Sequence, residues 1–364
     1  MAPETIFFTR GVPPTEAFPV KELSACFDAA ITSDTSVVLQ YGQQPGYPAL
    51  RHQLAAEYGV AESQLLIGNG SLHLQDLVSS YLIKTPGTVV FTEQPSYDRA
   101  ISTFRRRGGR VVGIPLETDG ISIERLEAAL KKDVPAFMYL VPDFQNPAGA
   151  TLSLEKRKRV LELASQYNFW VIEDIPYRKL RYTGEDIPML REIDPTHVIT
   201  MSSFSKLLSP GMRVGFLIAP AELVSAVTKL AEDTILSPVL PTQAAVAEFI
   251  RRGWLQPNID KLKELYRPRW AAMAEAVRSE LSGATQYIPD GGFFVSVLLP
   301  ESANTDNLMG RAKEIGLILT PGAAFYADSD DGSPIPGDRF VRLPFCAITP
   351  EQIREGVHRL ASLL

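Results

Sequence analysis

SSFSKLLSPGMRVG, Ser202 to Gly215, sets one lysine, Lys206, between two serines and a Pro-Gly turn that leads to Arg213. A lysine amine is ordinarily a solvated surface charge. Flanked by Ser203, Ser205 and an arginine, it reads instead as a Schiff-base nucleophile beside a phosphate site. Apolar runs on either side, Val198–Ser202 and Gly215–Ala219, place the turn between two strands.

Outward from this turn, short apolar runs alternate with helical patterns. The further strand candidates are Gln64–Ile67, Thr88–Thr92, Arg110–Ile114, Ala136–Val141 and Trp170–Asp174. Several are β-branched and apolar on both faces, as in a buried, mostly parallel sheet. Helical periodicity covers Leu72–Tyr81, Tyr97–Arg107, Ile123–Lys131 and Leu154–Tyr167, the last capped by Ser153. Its Lys156, Lys158 and Arg159 read as a solvated basic face. The alternation predicts an α/β fold: a three-layer α/β/α large domain with a mostly parallel seven-stranded sheet.

Past Pro257 the pattern changes. A long helix (Asp260–Leu281), a glycine-rich strand region (GGFFVSVLLP), a helix (Asn304–Ile315), an irregular acidic loop (Ala327–Asp338) and a last strand and helix suggest a smaller α+β domain. The expected division is an arm over 1–35, a large domain over 36–255 and a small domain over 256–364. Pro13, Pro14 and Pro19 make the arm irregular, with a short helix packing on the small domain.

The 364 residues, 45% hydrophobic and 21% charged, can bury a large core. A formal charge of −6 argues against nucleic acid as partner. Cys26 and Cys346 form no framework and stand at no metal-ligand spacing, which points to a reduced, cytoplasmic protein without a metal. No apolar run reaches the roughly 18 residues of a membrane helix, and MAPETIFFTRG does not read as a signal peptide.

Ligands of open α/β sheets sit at the carboxyl ends of strands. There the chain carries polar residues repeatedly. GNGSLHLQ turns on glycine into a helix, so that the backbone N–H groups of Gly70, Ser71 and Leu72 can meet an anion. TEQPSYD offers Tyr97 for stacking on a flat heterocycle. QNPAG holds Asn146 before the fixed φ of Pro147. VIEDIPY ends an apolar strand on Asp174, whose buried carboxylate needs a cationic or hydrogen-bonded partner, with Tyr177 three residues on. Each alone has a plain structural explanation in capping, loop packing or turn chemistry. Their joint order along strand ends does not.

With these residues in place the chain resembles the class I/II aminotransferases, fold type I pyridoxal-phosphate enzymes, along nearly its whole length, and most of all the aminoadipate and multisubstrate branch. The resemblance implies that Lys206 holds the cofactor aldehyde, that Ser203, Ser205, Arg213 and the Gly70-Ser71-Leu72 turn hold its phosphate, and that Tyr97 stacks on its ring. It implies Asp174 on the pyridine nitrogen and Asn146 and Tyr177 on the ring oxygen; Ala148 replaces the usual threonine of the Asn-Pro-Thr-Gly motif. VVLQYGQQPGYPALR resembles the segment that crosses the dimer interface, where Tyr41 would reach the cofactor phosphate of the partner subunit. RFVRLPFC places Arg342 on the substrate carboxylate, with the competing Arg339 expected to pair with the acidic loop. FFTRGVPPTEAFP places Gly11 against the substrate.

The implied activity is ping-pong transfer of an amino group between an α-amino acid and a 2-oxo acid in a homodimer, with Lys206 also moving the proton. A C–S β-lyase would use the same cofactor motifs, and a non-catalytic effector-sensing domain would keep the fold. Arg10, Arg99 and Arg105 are candidates for a distal carboxylate. Phe7, Phe8, Phe18 and Phe325 would suit broad aromatic or aliphatic side chains.

Overall fold

The computed structural model describes residues 4–329, 332 and 334–364. In the expected acidic loop, Asp330, Asp331 and Ser333 lie outside the described residues. The strands are β1 (Ile6–Phe8), β2 (Leu65–Gly68), β3 (Val89–Gln94), β4 (Arg110–Glu117), β5 (Gly120–Ile121), β6 (Phe137–Leu140), β7 (Trp170–Asp174), β8 (Val198–Ser203), β9 (Gly215–Ile218), β10 (Thr285–Tyr287), β11 (Phe294–Leu298), β12 (Leu317–Leu319), β13 (Asp328–Ser329) and β14 (Phe340–Pro344).

The central sheet runs β13-β4-β3-β6-β7-β8-β9-β2, with β5 alongside β4. All seven expected strands are in it. It has nine strands rather than seven, because the two-residue β5 and β13 extend the β4 edge. From β13 to β8 every pairing is parallel; β9 is antiparallel to both β8 and β2. Strands β2, β6, β8 and β9 are buried along their whole length, which accounts for their continuous apolar runs. Two apolar clusters lie against this sheet, a large one that includes Ile67, Tyr139 and Phe216 and a smaller one that includes Phe91, Met138 and Val171.

Four helices fall where periodicity put them, at Ser71–Leu82, Asp98–Arg106, Ile123–Leu130 and Leu154–Tyr167. The basic face of the last is paired rather than simply solvated. Lys156 bridges Glu117 and Asp119, and Arg159 bridges Glu127 and Glu162. The long helix spans Leu255–Glu280 and carries Pro268 inside it. The helix expected from Asn304 begins only at Leu308, behind an Asn307 of φ 47°.

The arm departs from expectation. It contains β1, which pairs in parallel with β12, and its helix is a full fourteen residues, Val20–Ser33. That helix packs on the helix Leu240–Arg251. A separate antiparallel sheet, β10-β11-β14, presents Arg342 from β14. No helix among the described residues is long and apolar enough to cross a membrane.

Candidate active site

A cleft of about 520 Å³ opens at the carboxyl ends of β3, β6, β7 and β8. It gathers Gly11, Ser71, Leu72, Tyr97, Asn146, Asp174, Tyr177, Ser203, Ser205, Lys206, Arg213 and Arg342, residues far apart in the chain. Gly70 borders it. A Cβ there would lie 2.2 Å from Arg213 Nη2, and its φ of 85° favours glycine in any case.

The Lys206 amine donates to the carbonyl of Gly11 at 2.7 Å. Burial, with Arg342 and Arg213 nearby, pushes it down from 10.5 to about 8. It lies 5.8 Å from the centre of the Tyr177 ring and 5.5 Å from that of Phe293.

Asp174, at the end of β7, has lost almost all contact with solvent. Its Oδ2 accepts from the Tyr139 hydroxyl at 2.8 Å, while Oδ1 is buried with no partner among the described residues. Burial raises the carboxyl from 3.8 to about 7 against the opposing pull of the Tyr139 hydrogen bond. Tyr177 is buried and packs edge-on to Phe294; burial raises its phenol well above the ordinary value.

Arg342 also lines the cleft and lies near two rings, 4.9 Å from the centre of Phe294 and 4.6 Å from that of Phe325. Its Nη1 donates to Asn146 Oδ1 at 3.0 Å, Nη2 donates to the Thr9 carbonyl, and Nε is buried without a partner among the described residues.

The third wall is built for an anion. The helix Ser71–Leu82 starts at the cleft with Gly70 as its cap. Gly215 lets the helix end approach β9, since a Cβ there would be 2.6 Å from Ser71 N. Arg213, held at φ 50°, donates to the Asn69 carbonyl at 3.0 Å and to Ser205 Oγ at 3.4 Å. The Ser203 hydroxyl is occupied within the turn, bonded to Ser205 and to the Val214 carbonyl.

Sequence reasoning missed several cleft residues. Tyr139 sits inside an apolar strand run and reads as core; its hydroxyl, which needs a partner when buried, was the available signal. Thr9 and Val12 act through their carbonyls, which no side-chain pattern reveals. Thr9 accepts from Thr320 as well as Arg342, and Val12 accepts from the Cys346 thiol at 3.3 Å.

Tyr41 is 76% exposed and lies outside the cleft of its own subunit. Among the described residues Arg339 pairs with Glu301, which precedes the acidic loop, and donates to the Leu299 carbonyl; Asp330 and Asp331 of that loop lie outside them. Other expectations are corrected. Arg105 pairs with Asp328, while Arg10 and Arg99 do line the cleft. None of Phe7, Phe8, Phe18 and Phe325 lines it: Phe8 is wholly buried, Phe7 is exposed, and Phe325 lies behind Arg342.

The model of the family "aminotransferase class I and II" matches residues 6–360. The aromatic-amino-acid aminotransferase 1 of Thermococcus litoralis is 32% identical over 99% of this chain and 88% of its own length. The 2-aminoadipate transaminase of Thermus thermophilus is 33% identical over 100% of this chain and 90% of its own. The solved structure of the α-aminoadipate aminotransferase of Thermus thermophilus, complexed with N-(5'-phosphopyridoxyl)-L-leucine, has a TM-score of 0.91. It is 33% identical, covering 99% of this chain and 92% of that one. The chain belongs to the class I and II aminotransferase family, and it is a pyridoxal-phosphate-dependent transaminase of fold type I.

The cleft fits that cofactor on its own evidence. An unpartnered buried carboxylate oxygen suits a protonated pyridine nitrogen. A glycine cap against Arg213 at a helix start suits a phosphate, and a lysine of lowered basicity suits an aldehyde.

Proposed function

We propose that this cleft is the active site and that each side chain acts as follows. Bound pyridoxal phosphate supplies an aldehyde for amine exchange and an electron sink for the substrate's Cα carbanion. Lys206 would hold the aldehyde and, as a free amine, would accept the substrate's Cα proton and redeliver it; a basicity lowered to about 8 suits both tasks. Asp174 Oδ1 keeps the ring nitrogen protonated. Tyr177 and the Asn146 amide donate to the ring oxygen, and Tyr97 covers one ring face. Arg213, Ser205 and the N–H groups of Gly70, Ser71 and Leu72 bind the phosphate. Arg342, packed near Phe294 and Phe325, takes the substrate carboxylate bidentately. The observation that carries this reading is the pair of buried, unpartnered polar atoms on two residues that line one cleft, Asp174 Oδ1 and Arg342 Nε.

The substrates follow from the mouth of the cleft. Arg10 and Arg99 stand beside Phe294 and Tyr97, a mixture that suits amino acids with an aromatic or a distal acidic side chain. The relatives named for aromatic amino acids and for 2-aminoadipate support the same breadth. A panel of amino acids assayed with 2-oxoglutarate and pyruvate tests it; activity on aspartate alone would overturn it. Mixed with one amino acid and no acceptor, the enzyme is expected to yield one equivalent of oxo acid and then stop. Continued release of pyruvate and ammonia would indicate β-elimination.

The functional unit we infer is a homodimer. Tyr41 is exposed beside Val37 and Leu39, and Leu236 and Val239 extend the exposed apolar surface across the Gly42–Ser237 hydrogen bond. Sedimentation checks it: a fully active monomer counts against it. The β1–β12 pairing supports joining the first part of the arm to residues 256–364, opposite a cofactor-binding domain over 36–255, while the arm's helix Val20–Ser33 packs on Leu240–Arg251 of that larger domain. Two free, buried cysteines support a cytoplasmic setting.

A further inference from the structure

We propose that Tyr139 is a positioning residue for Asp174, fixing which carboxylate oxygen is left for the cofactor and favouring the ionised form of the carboxylate. This rests on the reading of Asp174 as the partner of the ring nitrogen.

The geometry is specific. Tyr139 on β6 pairs with Ile172 on β7, so Tyr139 and Asp174 stand on the same face of the sheet, diagonally displaced by two residues. A phenol spans that diagonal where shorter polar side chains would not. Tyr139 is wholly buried, and its ring is set edge-on against Phe104 at 5.6 Å. The hydroxyl is therefore delivered from a rigid support, and it donates to Asp174 Oδ2 at 2.8 Å.

Two consequences follow. With Oδ2 engaged, Oδ1 is the oxygen left to meet a ring nitrogen in the cleft. A donor to the carboxylate favours its charged form, which offsets part of the cost of burial. Without that donor, a carboxyl surrounded by apolar atoms keeps its own proton and gives the ring nitrogen a weaker counter-charge.

The test is a double-mutant cycle read by the dissociation constant of pyridoxal phosphate rather than by turnover. Tyr139→Phe in the wild-type chain is expected to weaken binding about tenfold, the range for a lost hydrogen bond to a charged group. In an Asp174→Asn background the same change is expected to cost less than twofold, because the charge it serves is gone. Equal losses in both backgrounds overturn the proposal, as does Tyr139→Phe binding like wild type while Asp174→Asn binds weakly. If Asp174→Asn itself binds like wild type, the reading of Asp174 fails instead, and this proposal with it. Should Tyr139→Phe not fold, 3-fluorotyrosine at position 139, a stronger donor of nearly the same shape, carries the cycle. Binding is then expected to change with Asp174 present and to stay constant in the Asp174→Asn background; no change in either background overturns the proposal.

Discussion

The amine of Lys206 and the carbonyl of Gly11, 195 residues apart in the chain, meet at 2.7 Å. The contact joins the turn after β8 to the stretch of the arm that follows β1. It is possible because residue 11 has no side chain: a Cβ there would lie 2.2 Å from Phe294 Cζ, on a ring that also packs against Arg342.

Gly11→Ala is therefore expected to displace either the arm or the Phe294 ring. Overpacking of this kind costs about 1–3 kcal/mol. The expected kinetic signature is a raised KM for the amino acid with a smaller change in kcat, because Arg342 loses part of its platform. Thermal unfolding and steady-state kinetics on the same sample check both.

The amine of Lys206 should lose its proton near pH 8 rather than near 10.5. In cofactor-free protein, the rate of pyridoxal phosphate capture is expected to rise with pH and level off above about 8. A rate that keeps rising to about pH 10, the ordinary lysine range, would contradict the burial argument. Lys206→Ala removes both the attachment point and the base, with an expected loss in kcat/KM of at least about a thousandfold.

Asp174 gives a stability prediction of definite sign. Its carboxyl titrates near 7 in the fold and near 3.8 when unfolded. Between those values the native chain holds a proton that the unfolded chain has released, so this group costs stability progressively as pH rises through the window. Cofactor-free Asp174→Asn is therefore expected to melt above wild type at about pH 8 and level with it below about pH 4, while binding cofactor more weakly. Paired thermal scans at the two pH values decide it.

Arg157 tests a structural ion pair beneath the Asn146 loop. It is fully buried, donates to the equally buried Asp143 at 2.7 Å, and also caps the Leu152, Pro142 and Pro188 carbonyls. Arg157→Met leaves Asp143 with Arg178 alone at 3.2 Å. The expected loss is about 3–5 kcal/mol, the cost of breaking a buried pair from one side. Denaturant unfolding that shows a loss of less than about 1 kcal/mol would mean that Arg178 suffices.

The central strands were legible because burial on both faces writes itself as an apolar run, as in Val198–Met201. Strands of two residues leave no such record, so β5 and β13 were missed. Lys206, Asp174 and Asn146 stood out because each is a polar interruption at the end of such a run. Tyr139 did not, because an aromatic inside an apolar strand differs from core only through a hydroxyl whose partner is set by register. The carbonyls of Thr9, Gly11 and Val12 carry no side-chain signature at all.

Those three carbonyls divide labour within the gene. The strand ends that deal with the cofactor and the short stretch 9–12 that meets Arg342, Lys206 and Cys346 are encoded far apart. The stretch contributes main-chain oxygen, which every amino acid possesses. Its side chains at Arg10 and Val12 are thus free to drift without disturbing the polar contacts beneath them. A family that keeps one chemistry while exchanging its diet of amino acids could do much of its diversifying within a few codons.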